Sequence, residues 1–254
     1  MNNTIIQGLK NLVQFLLGIS ILVAVSFSCS ESATGYRQVE IIATYDLSVP
    51  EPSGLSFGKN YETLWVVSDS PDNSIYQISL TGTLIQKLSI KGDDFEGIAY
   101  DHQNDLLWVA DEKNCSITKM TTQGVVLSVA EFNISQIPNY GLEGIGLADS
   151  GYYWMAHEKE PGAIFKVNKE NSIVDQLTIK NLKDYSGLFF DNDSGKLWIV
   201  SDESRLLVSF DTKTKDIVKY SIPIEKAEGV TLNPLDNTFF IVSDSQAKLY
   251  HLKL

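Results

Sequence analysis

From residue 38 onward the chain is written in short apolar alternations separated by polar turn clusters, the signature of strands rather than helices. Five segments open alike, with a small or acidic residue, a glycine and then an apolar alternation: Ser53-Gly54-Leu55, Glu96-Gly97-Ile98, Glu143-Gly144-Ile145, Ser186-Gly187-Leu188 and Glu228-Gly229-Val230. Their glycines stand 43, 47, 43 and 42 residues apart. A second anchor follows each opening 13 to 15 residues later, at Ser68-Asp69, Ala110-Asp111, Ala156-His157, Ser201-Asp202 and Ser243-Asp244. It closes an apolar run with an aromatic near its start, such as LWVV (64–67), LLWVA (106–110) or LWIV (197–200). Polar clusters such as GKNYE, DHQND and DNDSG lie between the two runs and predict hairpin turns.

Each unit continues with further alternating stretches, for example SIYQIS (74–79) and TLIQKLSI (83–90). Four antiparallel strands recurring at about 40–50 residues make a β-propeller blade. The fifth copy has only three strands before Leu254, and residues 38–47 (QVEIIATYDL) offer the missing outer one. Pairing it with residues 247–252 closes the ring and removes two exposed edges. The expected architecture is an all-β, five-bladed β-propeller over residues 38–254, its ring closed by an N-terminal strand. Such a ring needs no partner to cover its edges, so a monomer is expected.

A different kind of segment stands in front. Residues 1–28 carry one charge, Lys10, then an apolar run over 12–27 that ends at small residues before Cys29. This is the layout of a secretory signal. The run is interrupted by Gln14, Gly18 and Ser20 and is short of the roughly 20 apolar residues of a membrane span. Ser26-Phe27-Ser28-Cys29 resembles the cleavage box of bacterial lipoproteins, with Ser26 where Leu is usual. Residues 1–28 are therefore expected to be a lipoprotein signal peptide, Cys29 the lipidated residue, and 29–37 a short tether. The protein would sit in the cell envelope, held to a membrane by its lipid. Cys115 is expected to be a small buried side chain within a strand.

Charge narrows the possible partners. The 20 Lys+Arg against 32 Asp+Glu leave a formal charge of −12, which argues against nucleic acid, since a phosphate backbone needs a basic stripe. Propeller topology puts the start of each first strand and the end of each second strand on one face. Ser53, Glu96, Glu143, Ser186 and Glu228 should thus ring one mouth, with the second anchors and Glu112, Glu158 and Glu203 just outside. Carboxylates about 4 Å apart repel by about 1 kcal/mol in water and about 4 kcal/mol at an effective dielectric of 20. Three kinds of relief are open: a metal held by Glu96, Glu143 and Glu228; ion pairs with Lys113, Lys159, Arg205 or Lys226; or solvation. For an all-oxygen site the fitting metal is Ca²⁺ first, with Mg²⁺ or Mn²⁺ behind it.

Around that centre Glu112, His157, Glu158, Asp202, Glu203 and Arg205 are expected to form a ligand-binding rim. The recurring Asp69, Asp111, Asp202 and Asp244 read first as strand-end residues bonding the backbone of the following turn. His157, in the equivalent slot, reads first as a hydrogen-bonded rim residue. Residues 191–195 (DNDSG) open like a calcium loop but fit a hairpin turn, and 157–161 (HEKEP) lacks the second His of a zincin helix. Neither a G-x-S-x-G elbow nor a P-loop occurs, so no nucleophile is nominated.

Taken together, residues 93–114, 141–167, 184–207 and 226–252, with their recurring EGI, LWVADE, WMAHE and VSDES stretches, resemble the SdiA-regulated family of bacterial propellers. They are more distantly similar to esterase-like phytase and gluconolactonase-type propellers. The resemblance implies an exported or membrane-attached propeller with a cation at its axial mouth. Gluconolactonase-type relatives hold their metal partly through the Glu of an EG motif; Glu96, Glu143 and Glu228 fit that motif, whereas Ser53 and Ser186 depart from it. The expected function is a lipid-anchored module that binds a divalent cation and a small-molecule or envelope-protein ligand. The alternative is a metal-dependent hydrolase of phosphate esters or lactones. In that case Arg205 would grip an anionic group and Glu158 or His157 would serve as general base.

Overall fold

The computed structural model describes residues 35–69, 71–134, 141–159 and 162–254; the expected signal segment 1–28, Cys29 and all but the last residues of the expected tether lie outside them. Strands β1 (Arg37–Gln38) and β2 (Glu40–Asp46) come first. Blade 1 is β3 (Pro52–Phe57), β4 (Thr63–Ser68), β5 (Ser74–Ser79) and β6 (Leu84–Lys91). Blade 2 is β7 (Phe95–Asp101), β8 (Leu106–Asp111), β9 (Ser116–Thr121) and β10 (Val126–Glu131). Blade 3 is β11 (Leu142–Leu147), β12 (Tyr153–His157), β13 (Ala163–Val167) and β14 (Ile173–Leu177). Blade 4 is β15 (Gly187–Asp191), β16 (Lys196–Ser201), β17 (Leu206–Asp211) and β18 (Ile217–Ser221). Blade 5 is β19 (Ala227–Asn233), β20 (Thr238–Ser243) and β21 (Lys248–Lys253), with β2 antiparallel to β21 on its outer side. The short β1 lies parallel to β18 on the outside of blade 4, so Arg37 belongs to a strand rather than to a tether.

Why these runs become blades follows from what each face meets. Both faces of a blade are covered by neighbours, so successive residues of a central strand are all apolar. In β4, Leu64 and Val66 pack toward blade 5, whereas Trp65 and Val67 pack toward blade 2. The same register places Trp108, Trp154, Trp198 and Phe240 against the next blade in turn. The five resulting cores join blades 1–2, 2–3, 3–4, 4–5 and 5–1, which makes the ring complete. Across the ladder each large ring faces a small partner in four blades: Ser56 under Trp65, Ala99 under Trp108, Gly146 under Trp154 and Thr231 under Phe240. Blade 4 departs from this with Phe189 opposite Trp198.

At the axis the strands touch through backbone. A Cβ on Gly54 would lie 2.5 Å from the Glu96 carbonyl oxygen, and one on Gly97 2.7 Å from that of Glu143. On Gly144 it would lie 2.7 Å from the Leu188 nitrogen, on Gly187 2.1 Å from the Glu228 oxygen, and on Gly229 2.4 Å from the Ser53 oxygen. Each glycine thus abuts the next, and the last returns to the first. Cys115 is half-buried in the turn between β8 and β9 with φ 44°, not within a strand; its neighbour Ser116 begins the strand.

Two glycine substitutions separate space from conformation. Gly187→Ala is expected to lower unfolding free energy by several kcal/mol, on the order of 3 or more, because rigid backbone must move. Gly151→Ala meets open space at φ +82° and is expected to cost only about 1 kcal/mol. Denaturant melts of both variants check the difference; equal losses would mean that the axial contacts are not tight.

Candidate functional site

The residue before each axial glycine lands at one end of the ring. Ser53, Glu96, Glu143, Ser186 and Glu228 all line a single funnel of about 580 Å³, as the repeat spacing predicts. Its walls hold twelve carboxylates against three lysines, Lys113, Lys159 and Lys226, and so concentrate most of the chain's net negative charge at one mouth.

Strand register corrects the second anchor by one residue in two blades. Ser68, Asp111, His157 and Ser243 occupy one position: each pairs with the residue just before the first anchor (Pro52, Phe95, Leu142 and Ala227). Ser201 ends β16 at the corresponding place in blade 4. This position ties the loop leading into the innermost strand. Ser68 Oγ donates to the Pro50 carbonyl at 2.5 Å, Ser243 Oγ to that of Glu225 at 2.6 Å, and Ser201 Oγ to Asp184 Oδ1. Asp111 does the same in reverse, its Oδ2 accepting from the Asp93 amide at 3.1 Å while Oδ1 accepts from Asn114 N at 2.9 Å. For Asp111 the expected turn-bonding role therefore holds. The next residue is the one that reaches the funnel: Asp69, Glu112, Glu158, Asp202 and Asp244.

That offset sorts the expected rim. Glu112, Glu158, Asp202 and Glu203 line the funnel. His157 does not; it is 3% exposed, behind the wall and edge-on to Phe165. Arg205 is exposed in the turn after β16 with φ 56° and also lies off the wall. Among the described residues Glu96, Glu143 and Glu228 do not gather as one ligand group. Two other trios do, Asp69–Asp94–Glu96 and Glu112–Glu143–Glu158, each with ligand atoms within 4.8 Å of one another, and either could hold a metal ion.

Asp94 and Asp184 were missed as candidates, although both follow a legible pattern. Asp94-Phe95-Glu96-Gly97 and Asp184-Tyr185-Ser186-Gly187 share an Asp two places before the anchor. Where blade 4 has Ser186 in place of Glu, the buried Asp184 supplies the carboxylate, accepting from Ser186 Oγ at 3.0 Å and from the Glu203 amide at 3.2 Å.

The acids differ in how they are relieved. Lys159 lies 2.5 Å from Glu158 and 3.4 Å from Glu203, and Lys226 lies 3.4 Å from Asp202, so the lysines serve rim acids rather than Glu96, Glu143 and Glu228, the partners expected for them. Deeper in, Ser53 Oγ donates to Glu96 Oε2, and the Gly141 amide donates to Glu112 Oε1 at 3.2 Å. Glu143 is 8% exposed, and its carboxyl group makes no hydrogen bond or ion pair among the described residues. Burial first, then the fields of Glu96, Glu112, Glu228 and Glu158, hold its carboxyl far above the ordinary range. Burial and Asp69 raise Glu96 likewise. Burial lifts Glu228 to about 8 despite Lys226, and burial together with Asp69 lifts Asp94 to about 7. Asp94, Glu96, Glu143 and Glu228 therefore hold their protons more readily than ordinary carboxyls.

The sequence model of the SdiA-regulated family matches residues 38–253. Among solved structures the chain is similar to the glutaminyl cyclase of Myxococcus xanthus, with TM-score 0.67 and 13% identity over 86% of this chain and 97% of that one. It is also similar to a chain of the nidogen/laminin complex, with TM-score 0.56 and 18% identity over 80% of this chain and 79% of that one. At these identities the likeness concerns the fold.

Groups whose folded pKa is raised contribute stability below the ordinary carboxylate range and lose it as pH climbs through about 7–8. In chelator the melting temperature is therefore expected to fall between pH 5 and pH 8. His102 and His251, held below their ordinary values by burial, act in the opposite sense and are common to both proteins compared. Glu143→Gln should flatten the fall and raise stability at pH 8 by on the order of 1–3 kcal/mol. Identical pH profiles for wild type and variant would contradict the electrostatic account of the funnel.

Proposed function

We propose, for a chain that belongs to the SdiA-regulated family, that it is an exported, lipid-anchored propeller whose acidic funnel binds a divalent cation. The cation, Ca²⁺ first, makes the mouth a binding module for a small-molecule or envelope-protein ligand. The observation that carries this reading is Glu143, buried among four other carboxylates, its carboxyl group making no hydrogen bond or ion pair among the described residues. Lysines pair with rim acids, whereas the carboxylate oxygens of Glu112, Glu143 and Glu158 gather within 4.8 Å of one another, and an all-oxygen donor set suits a hard ion. Glu112, Glu143 and Glu158 would hold it, with Asp69, Asp94 and Glu96 offering a second place beside them. Lys113, Lys159 and Lys226 stand where an anionic part of a ligand would approach a bound ion. The hydrolase reading loses two of its three candidates, because His157 and Arg205 lie off the funnel wall and only Glu158 lines it. We place the protein in the cell envelope as a monomer held by lipid on Cys29.

Titration calorimetry of chelator-stripped protein is expected to show Ca²⁺ binding with a dissociation constant in the range of roughly 10⁻⁶–10⁻³ M. Glu143→Gln should weaken it about tenfold or more, since one of three gathered carboxylates is lost. Absence of heat with Ca²⁺, Mg²⁺ and Mn²⁺, or undiminished binding by the variant, would remove the cation from this account. For the anchor, Cys29→Ala should move the protein from the membrane fraction to the soluble one; unchanged sedimentation with membranes would argue against lipidation.

A further inference from the structure

The ring has a second opening, and its chemistry is different. At the end opposite the funnel lies a cavity of about 500 Å³, within the roughly 300–1,000 Å³ typical of small-molecule sites. It shares no lining residue with the funnel. Its room comes from the small residues that face the large rings across the ladder, since Ser56, Ala99 and Gly146 all form part of its wall.

One corner of this cavity is built against local preference. In the hairpin turns of blades 2 to 5 the left-handed position is held by Asp105, Gly151, Gly195 and Asn237, residue types that tolerate it. Blade 1 instead has two consecutive left-handed residues, Asn60 at φ 57° and Tyr61 at φ 61°. A tyrosine in that conformation is strained, and strain of this kind clusters at ligand sites. It sets the Tyr61 ring in the cavity wall 4.8 Å from the His102 imidazole, which in turn meets Tyr100 at 4.7 Å.

Around this aromatic corner the field is negative. Asp149 and Asp193, from the turns of blades 3 and 4, line the cavity, and their carboxylates take no hydrogen bond or ion pair among the described residues. Burial, then Asp193, Asp149 and Asp191, hold the Tyr61 phenol above its ordinary value, so these carboxylates act on it across the cavity. Two other aromatic residues of the wall, Trp108 and Tyr152, already carry a cation. Lys119 Nζ lies 4.7 Å from the Trp108 ring centroid, and Lys166 Nζ 4.4 Å from that of Tyr152. Lys169, also in the wall, lies 3.8 Å from Glu170. Among the described residues no lysine or arginine lies over Tyr61, although its ring and two carboxylates form the surroundings that an ammonium selects.

We propose that this far cavity binds a small organic cation, an ammonium borne on an apolar or aromatic body, its charge lodged between Tyr61 and the carboxylates of Asp149 and Asp193. The body lies against Phe190 and Leu55, which line the cavity. This site is independent of the cation in the funnel and stands or falls apart from it.

The test uses phenethylamine and 3-phenylpropionate, which share a phenyl ring and a short chain but carry opposite charges. Calorimetry on the full chain is expected to show phenethylamine binding below roughly 10 mM and 3-phenylpropionate at least about tenfold weaker. Asp149→Asn/Asp193→Asn, at exposed turn positions, should keep its melting temperature and lose about tenfold in affinity for the amine. No amine binding up to roughly 10 mM, or equal binding of the two compounds, would overturn the proposal without recourse to any variant. Undiminished amine binding in the folded double variant would overturn the placement of the charge.

Discussion

Backbone-to-backbone contact of five glycines at the axis is the constraint from which the functional geometry of this propeller follows. With Gly54, Gly97, Gly144, Gly187 and Gly229 abutting in a circle, the innermost strands approach more closely than any side chain allows. The residue before each glycine is thereby forced into a narrow mouth. Two residues beyond four of the five glycines, small side chains accommodate the Trp and Phe rings of the neighbouring strand, and room left over opens the far cavity. A single layer thus shapes both ends.

The crowding has an electrostatic cost that the rest of the ring must carry. Each of the five inter-blade cores buries at least one large aromatic ring, and such a ring removes on the order of 150–250 Å² from water. That apolar burial, repeated around the circle, allows acids such as Glu96 and Glu143 to be held where their charged forms are disfavoured. Their arrangement is not required by the fold. Blades 1 and 4 place Ser at the same position and pack equally well, since Ser53 and Ser186 are as buried as the glutamates they replace. Positions that the fold leaves free but that carry buried carboxylates are the ground on which the cation proposal stands.

Architecture was legible because spacing alone determines it: glycines at 43, 47, 43 and 42 residues and an apolar run before each second anchor left little alternative to five blades. The site was legible only in outline. Choosing the Ala-Asp and Ala-His dipeptides in blades 2 and 3 by their likeness to Ser-Asp shifted the anchor by one residue. In a strand that sends a side chain to the other face, so His157 was expected on the rim and is buried instead. A constant offset of 15 residues from the first anchor selects Ser68, Asp111, Ser201 and Ser243, and one of 14 selects His157. The Asp-aromatic-x-Gly pattern likewise held Asp94 and Asp184 in plain view. Which carboxylates meet was beyond the pattern, because it depends on how loops 91–94 and 183–186 fold over the mouth. The far corner was hidden for a different reason: positive φ at Tyr61 is a property of backbone that no periodicity records.

The two mouths are separate in space and in field. An innermost strand of five to seven residues spans roughly 17–23 Å at about 3.3 Å per residue, whereas charges in physiological salt are screened over about 8 Å. Both openings face water, so an ion entering the funnel alters the field at Tyr61 very little. Any coupling between them would have to be mechanical and to pass through the glycine layer, where contacts shorter than 3 Å to a hypothetical Cβ leave no slack for a graded shift. A close-packed axis of this kind transmits an all-or-none displacement or nothing. The structure is therefore that of a rigid partition with an acidic opening on one side and an aromatic one on the other.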